Sequence, residues 1–239
     1  MTRRESILRE MGFAPLWRLR NKPDAVMAEA TASVTLPTAV PQADARAQRI
    51  VAMGWDELKT AVASCRDCRL CEERKQAVLG VGDIEADWLF VGEGPGAEED
   101  ERGEPFVGQA GKLLDAMLAA IDLKRGRKVY IGNVVKCRPP GNRTPEVEET
   151  AACFPYLQRQ IELIRPRLII ALGKPAAETL LDAEVKVGAS RGRLLDYRGI
   201  PLIVTYHPAY LLRNLTDKAK AWEDLCLARA TMAGLDGEG

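Results

Sequence analysis

Four short apolar runs, at 88–93, 128–135, 167–172 and 201–206, punctuate the chain. In the first, Trp88-Leu89-Phe90-Val91 is apolar at consecutive positions and bounded by Asp87 and glycine, the pattern of a strand buried on both faces. Between the runs lie stretches whose spacing predicts helices over 55–64, 110–121, 145–163, 174–181 and 218–231, with Pro145 after Thr144 suited to a first helical turn. Strands and helices therefore alternate from Trp55 onward, and no segment repeats. Such alternation predicts an α/β fold, a three-layer α/β/α sandwich with a central, mainly parallel four-stranded sheet. Sheets of this kind bind ligands beyond the carboxyl ends of their strands. Glu93, Asn133, Gly173 and His207 all fall at such ends, which predicts one shared pocket.

The first 50 residues read differently. Residues 1–22 set Arg3, Arg4, Arg9, Arg18, Arg20 and Lys22 among apolar positions, a basic amphipathic tail, and 23–46 are an Ala/Pro-rich linker without periodicity. The expected division is a tail and linker over 1–50 and one domain over 51–235. The 34 basic and 34 acidic residues cancel, so a contact with nucleic acid has to use a local basic face. A hydrophobic fraction of 46% supports a core without disulfides. No run is long enough to span a bilayer and no apolar leader follows the N-terminal arginines, so a cytoplasmic location is expected. In that compartment the six cysteines point to a metal or to thiols.

Candidate chemistry sits where the strands end. Gly92-Glu93-Gly94-Pro95-Gly96 is a glycine turn that lets backbone approach a ligand, and Pro105-Phe106-Val107-Gly108 lies just behind it. The turn formally matches a dinucleotide fingerprint, but Pro95 removes a donor and Glu98, Glu99 and Asp100 repel phosphate. Gly108-Gln109-Ala110-Gly111-Lys112 is too short for a P-loop, and Leu113 stands where a magnesium-binding hydroxyl is needed. Cys65, Cys68 and Cys71 form a C-x-x-C-x-x-C run, with Cys137, Cys153 and Cys226 downstream. Four thiolates from separate segments suit either Zn²⁺ or an iron–sulfur cluster, and spacing alone leaves both open. Cys226, between Leu225 and Leu227, reads as a packed apolar side chain. His207 is the only histidine, in His207-Pro208-Ala209-Tyr210-Leu211-Leu212-Arg213.

Taken in order, these motifs, with Asn133-Val134-Val135-Lys136-Cys137-Arg138-Pro139-Pro140, Asn142-Arg143 and Leu172-Gly173, resemble the family-four uracil-DNA glycosylases, over about residues 55 to 230. The resemblance implies a DNA-repair hydrolase that removes uracil from DNA and leaves an abasic site. It implies a [4Fe–4S] cluster on Cys65, Cys68, Cys137 and Cys153, with Cys71 spare. Asn133 would read the uracil edge, Phe106 would stack on the ring, and His207 would face O2. Glu99 would exclude the thymine methyl, and Gly92 and Gly94 would border the substrate. Related enzymes carry Asp where Gly94 stands, so Glu93, or backbone and phosphate alone, would hold the water. Leu211, Leu212 and Arg213 would press into the duplex, while Arg138 and Arg143 would meet phosphates, with Arg191, Arg193, Lys218 and Lys220 further candidates. A monomer is expected, acting on uracil-containing DNA at the nucleoid and followed by downstream repair proteins. The alternative is a non-catalytic iron–sulfur or zinc module that senses damage in nucleic acid.

Overall fold

The computed structural model describes residues 42–237, so the expected tail and most of the linker lie outside the described residues. In chain order the elements are α1 (Gln42–Ala52), α2 (Trp55–Ser64), α3 (Leu70–Glu73), β1 (Val81–Gly82), β2 (Trp88–Gly92), α4 (Ala97–Arg102), α5 (Gln109–Ala119), β3 (Val129–Asn133), α6 (Val147–Ile164), β4 (Leu168–Leu172), α7 (Lys174–Leu181), α8 (Val187–Ser190), β5 (Leu195–Tyr197), β6 (Ile200–Thr205), α9 (Pro208–Leu211) and α10 (Lys218–Gly237).

The sheet has six strands in the order β1-β3-β2-β4-β6-β5, not four. The four expected strands are its parallel centre, β3, β2, β4 and β6, and the two unexpected ones pair antiparallel at the edges. Those edge strands are 2 and 3 residues long, too short for any periodicity to register. β5 returns into β6 through Arg198 and Gly199, both at positive φ (51° and 87°), the two-residue turn whose twist suits a hairpin.

Side chains alternate strictly between two cores, and this produces the three layers. Leu89, Val91, Tyr130, Ile169, Ala171, Leu202 and Val204 face one cluster, completed by α1, α2, α6 and α7. Trp88, Phe90, Val129, Ile131, Leu168, Ile170, Leu172 and Ile203 face the other, completed by α5, α9 and α10. Both sheet faces are thus covered, which explains apolar runs without polar alternation. Residues 42–50, expected as linker and tail, belong to α1. Ile50 is buried in the first core, and the Arg46 guanidinium lies 5.0 Å over the Tyr156 ring while Nε donates to Asp67 at 2.8 Å. Helix α1 thus packs onto the domain expected to start at residue 51. Helix α6 starts at Val147 rather than 145, because Glu146 is its N-cap, with the backbone N–H donating to Glu149 at 2.8 Å. Among the described residues no helix is long and apolar enough to cross a membrane.

Candidate active site

A pocket of about 680 Å³ opens beyond the carboxyl ends of the parallel strands. β2 has β3 on one side and β4 on the other, and the chain crosses from β3 over to β4, the switch point at which such sheets form a crevice. Glu93 follows β2, Asn133 ends β3, Gly173 follows β4 and His207 follows β6, and all four line this one cavity.

Asn133 is 1% exposed, and its Oδ1 is buried without a hydrogen-bond partner. It stands in register with Gly92 on β2. A Cβ at Gly92 would lie 2.5 Å from Asn133 Oδ1 and 2.5 Å from Phe106 Cζ, so this glycine lets the two side chains close over the strand end. Gly92 sits behind the cavity and does not line it, unlike Gly94. Phe106 takes φ 56°, a left-handed conformation costly for a bulky residue. Its carbonyl accepts from Arg125 Nη2 at 2.9 Å and is pressed against α5, where a Cβ at Gly111 would come within 1.7 Å of it. Arg125 was invisible to sequence reasoning. Gly111 had a signal, since a glycine inside a helical pattern often marks close backbone approach.

The Phe106 ring lies 5.4 Å from the His207 imidazole at an interplanar angle of 31°. His207 is the N-cap of α9, and its Nδ1 accepts from the Ala209 N–H at 3.1 Å. The neutral ring must therefore carry its proton on Nε2. Burial pulls its pKa down to about 4, with Arg213 adding to the effect and Glu99 opposing it. Glu93 has its carboxyl raised above the ordinary value, chiefly by burial, with a hydrogen bond from Thr144 opposing.

Glu99 does more than line the wall. Its Oε1 accepts from the N–H groups of Val107 (2.9 Å) and Gly108 (3.0 Å), and its Oε2 from Gly96 (3.1 Å). Asp100, given no role from sequence, is 2% exposed and accepts from the Lys75 N–H at 3.0 Å. Glu98, by contrast, is an exposed acid paired with Arg102.

The expected DNA-facing residues separate. Leu211 is buried at 1%, in the core with α5, so it is no wedge, whereas Leu212 stands 41% exposed. Leu215, overlooked in the sequence, is 63% exposed just beyond it. Arg213 lines the pocket and makes no ion pair among the described residues. Arg143 also lines it, and its guanidinium is bidentate on Glu149 (2.8 and 2.7 Å) at the start of α6. Arg138 donates to Asn142 at 2.7 Å. Arg191 is held by Asp224 and Glu223 (3.0 and 2.7 Å), and Lys220 by Asp217 (2.8 Å), so both are occupied.

A second, small cavity is lined by Cys65, Cys68, Cys71, Cys137 and Cys153, so the spare thiol of the run shares it. None is in a disulfide, and among the described residues no three acidic, thiol or imidazole groups converge as the ligands of a single ion. Arg74 Nη1 donates to Cys137 Sγ at 2.8 Å, and the Lys136 N–H to Cys153 Sγ at 3.3 Å. Burial pushes the Cys137 and Cys153 thiols up to about 11 and about 12. Sulfur donors of this kind, drawn from three segments and faced by two cations, fit a soft metal or an iron–sulfur cluster and exclude the hard cations. Cys226 lies outside this cavity.

The family model described as uracil DNA glycosylase superfamily matches residues 79–226. The type-4 uracil-DNA glycosylase of Pyrobaculum aerophilum is 42% identical over 184 residues, 73% of this chain and 93% of that protein. That of Thermotoga maritima is 46% identical over 66% of this chain and 83% of its own length. The type-5 enzyme of Pyrobaculum aerophilum is more distant, 32% identical over 56% of this chain.

Proposed function

The chain belongs to the uracil-DNA glycosylase superfamily and to its type-4 branch, and on that footing we propose that it hydrolyses the N-glycosidic bond of uracil in DNA, releasing free uracil and leaving an abasic site. The observation that carries the pocket assignment is the buried, unpartnered Oδ1 of Asn133 beside Phe106 and His207. A buried acceptor without a donor is costly, and the N3–H of a flipped uracil supplies that donor. The same carboxamide donates to O4. Cytosine reverses both groups and leaves the amide unpaired, which is how sites of this type reach discriminations of about 10⁴.

The uracil ring lies against Phe106, and His207 Nε2–H donates to O2. As the C1′–N1 bond breaks, its electron pair passes to the uracil, where charge collects on O2 under this donor. Water adds to the oxocarbenium carbon and gives a proton to Glu93, while the departing base takes one from solvent. Leu212 and Leu215, exposed on either side of Arg213, would fill the gap left in the duplex, with Arg213 and Arg138 meeting phosphate.

Cys65, Cys68, Cys137 and Cys153 would hold a [4Fe–4S] cluster, with Cys71 spare. When bound, such a cluster supplies a structural tie, here between the α2–α3 turn, the segment after β3, and α6. Arg74, which donates to Cys137 Sγ, balances thiolate charge at that cavity.

The test is excision from an oligonucleotide with a single uracil, read by alkaline strand cleavage against a thymine-only control, on protein of measured iron content. Cleavage of the uracil strand alone is expected. Its absence from iron-replete protein overturns the activity, and stoichiometric zinc in a colourless active protein overturns the cluster.

A further inference from the structure

Lys136 is 1% exposed, among the largest fully buried side chains of the molecule, and it bears a charge. A lysine is almost never so deeply buried unless it is bound to something. Three bonds tie it to three segments. Its N–H donates to Cys153 Sγ on α6 at 3.3 Å, and its carbonyl accepts from the Val78 N–H at 2.7 Å. Its ammonium donates to the backbone carbonyl of Asn133 at 2.7 Å. The residue also borders the cysteine cavity.

Pairing between β1 and β3 ends at Ile131, so Asn133 has no ladder partner on that edge of the sheet. A buried carbonyl in that position needs a donor, and the Lys136 ammonium provides it. Among the described residues no hydrogen bond holds Asn133 Oδ1, so the backbone at the strand end sets where its carboxamide is presented. Among the described residues the hydrogen bond to that carbonyl comes from Lys136, which also lines the cysteine cavity.

We propose that Lys136 is a positioning residue for base recognition: its ammonium fixes the Asn133 carbonyl, and with it the carboxamide, from the cysteine cavity. This rests on the uracil-excision reading of the pocket. The role belongs to the hydrogen bond, not to charge or bulk, and acts on binding of the base more than on bond cleavage.

Lys136→Met keeps the volume and removes the donor, while Lys136→Gln restores an N–H donor without charge. Iron content and visible absorption, KM against kcat for uracil-containing DNA, and inhibition by free uracil are measured on both holoproteins. Lys136→Met is expected to retain iron and absorption, to raise KM and the free-uracil inhibition constant about tenfold, and to leave kcat little changed. Lys136→Gln is expected to recover most of that loss. Native KM and inhibition in Lys136→Met would overturn the proposal. So would a glutamine variant as impaired as the methionine one, which would assign the effect to charge. Loss of iron or of folding in both variants would also overturn it, by showing that Lys136 serves the cysteine cavity alone. Wild-type protein run in parallel separates these results, since its failure to excise would refute the activity itself, and calorimetric binding of free uracil would then compare wild type and variants directly.

Discussion

His207 enters the pocket with one nitrogen already committed. Its Nδ1 accepts from Ala209, so protonating the ring would set two donors against each other, a local penalty on top of burial. With its pKa down at about 4, the imidazole is neutral at neutral pH, so in the proposed reaction it donates through Nε2 rather than acting as an acid. In the proposed reaction Glu93 has the opposite requirement, since it has to be ionised to take a proton from water, and burial has raised it above the ordinary carboxylate value. The excision rate is therefore expected to show no inflection at the ordinary imidazole value of about 6.5. Its acid limb should belong to Glu93, above the ordinary carboxylate value, so that Glu93→Gln is slower but flat until His207 protonates near 4. A limb centred near 6.5 that survives in Glu93→Gln would show that His207 titrates normally. Stability has a definite sign as well. The native ring binds fewer protons than the unfolded one between about 6.5 and 4, so its contribution falls as pH drops through that window. His207→Ala should keep the fold at neutral pH and lose about 10²–10³ in rate, measured by single-turnover excision.

Helices α4 and α5 meet the pocket by their N-termini, and one carboxylate ties both. Glu99 completes the capping of α4 through the Gly96 N–H and takes the N–H of Gly108, the N-cap of α5, together with that of Val107. Since Val107 follows Phe106, the position of the Phe106 ring depends on this acid. Glu99→Ala leaves three donors unpaired, at a cost of about 2 kcal/mol, and a Tm lower by roughly 4–8 °C is expected for a domain of this size. KM for uracil-containing DNA should rise in parallel as Phe106 loosens, and an unchanged Tm with an unchanged KM would refute the tie. Sequence could not separate Glu98, Glu99 and Asp100, three adjacent acids of which one is exposed, one caps two helices and one is buried against Lys75. What differs is the direction each takes from a single helical turn, and no spacing encodes that before the neighbouring loops are placed. The central strands and the longer helices were legible for the opposite reason, because each has enough turns or residues for periodicity to show. Helix α1 was missed because Ala and Gln dilute its apolar face, leaving Ile50 as its buried anchor.

At the scale of the whole molecule, convergence of four strand ends was readable in advance, since alternating strands and helices determine where a crevice must open. The surface that meets DNA was not, because a cation in a sequence carries no sign of its partner. Arg143 and Arg191 read as phosphate ligands, yet Glu149 and the Asp224–Glu223 pair hold them, and Asp224 in turn accepts from Thr205 two residues before His207. With 34 charges of each sign, the protein has no bulk attraction for a polyanion, so binding rests on a few cations that remain available. If Arg213, Arg138 and one further group each neutralise a phosphate, log K should fall against log salt with a slope of about −3. Arg213→Ala is expected to make that slope shallower by about one and to weaken uracil-containing and control duplexes alike. Arg191→Ala should leave the slope unchanged while lowering Tm, because it removes a partner from buried Asp224 rather than from DNA. Fluorescence anisotropy over a salt series, on variants whose folding is verified, measures both. An equal loss of slope in the two variants would place Arg191 on the DNA, and an unchanged slope in Arg213→Ala would move the binding face away from the pocket mouth.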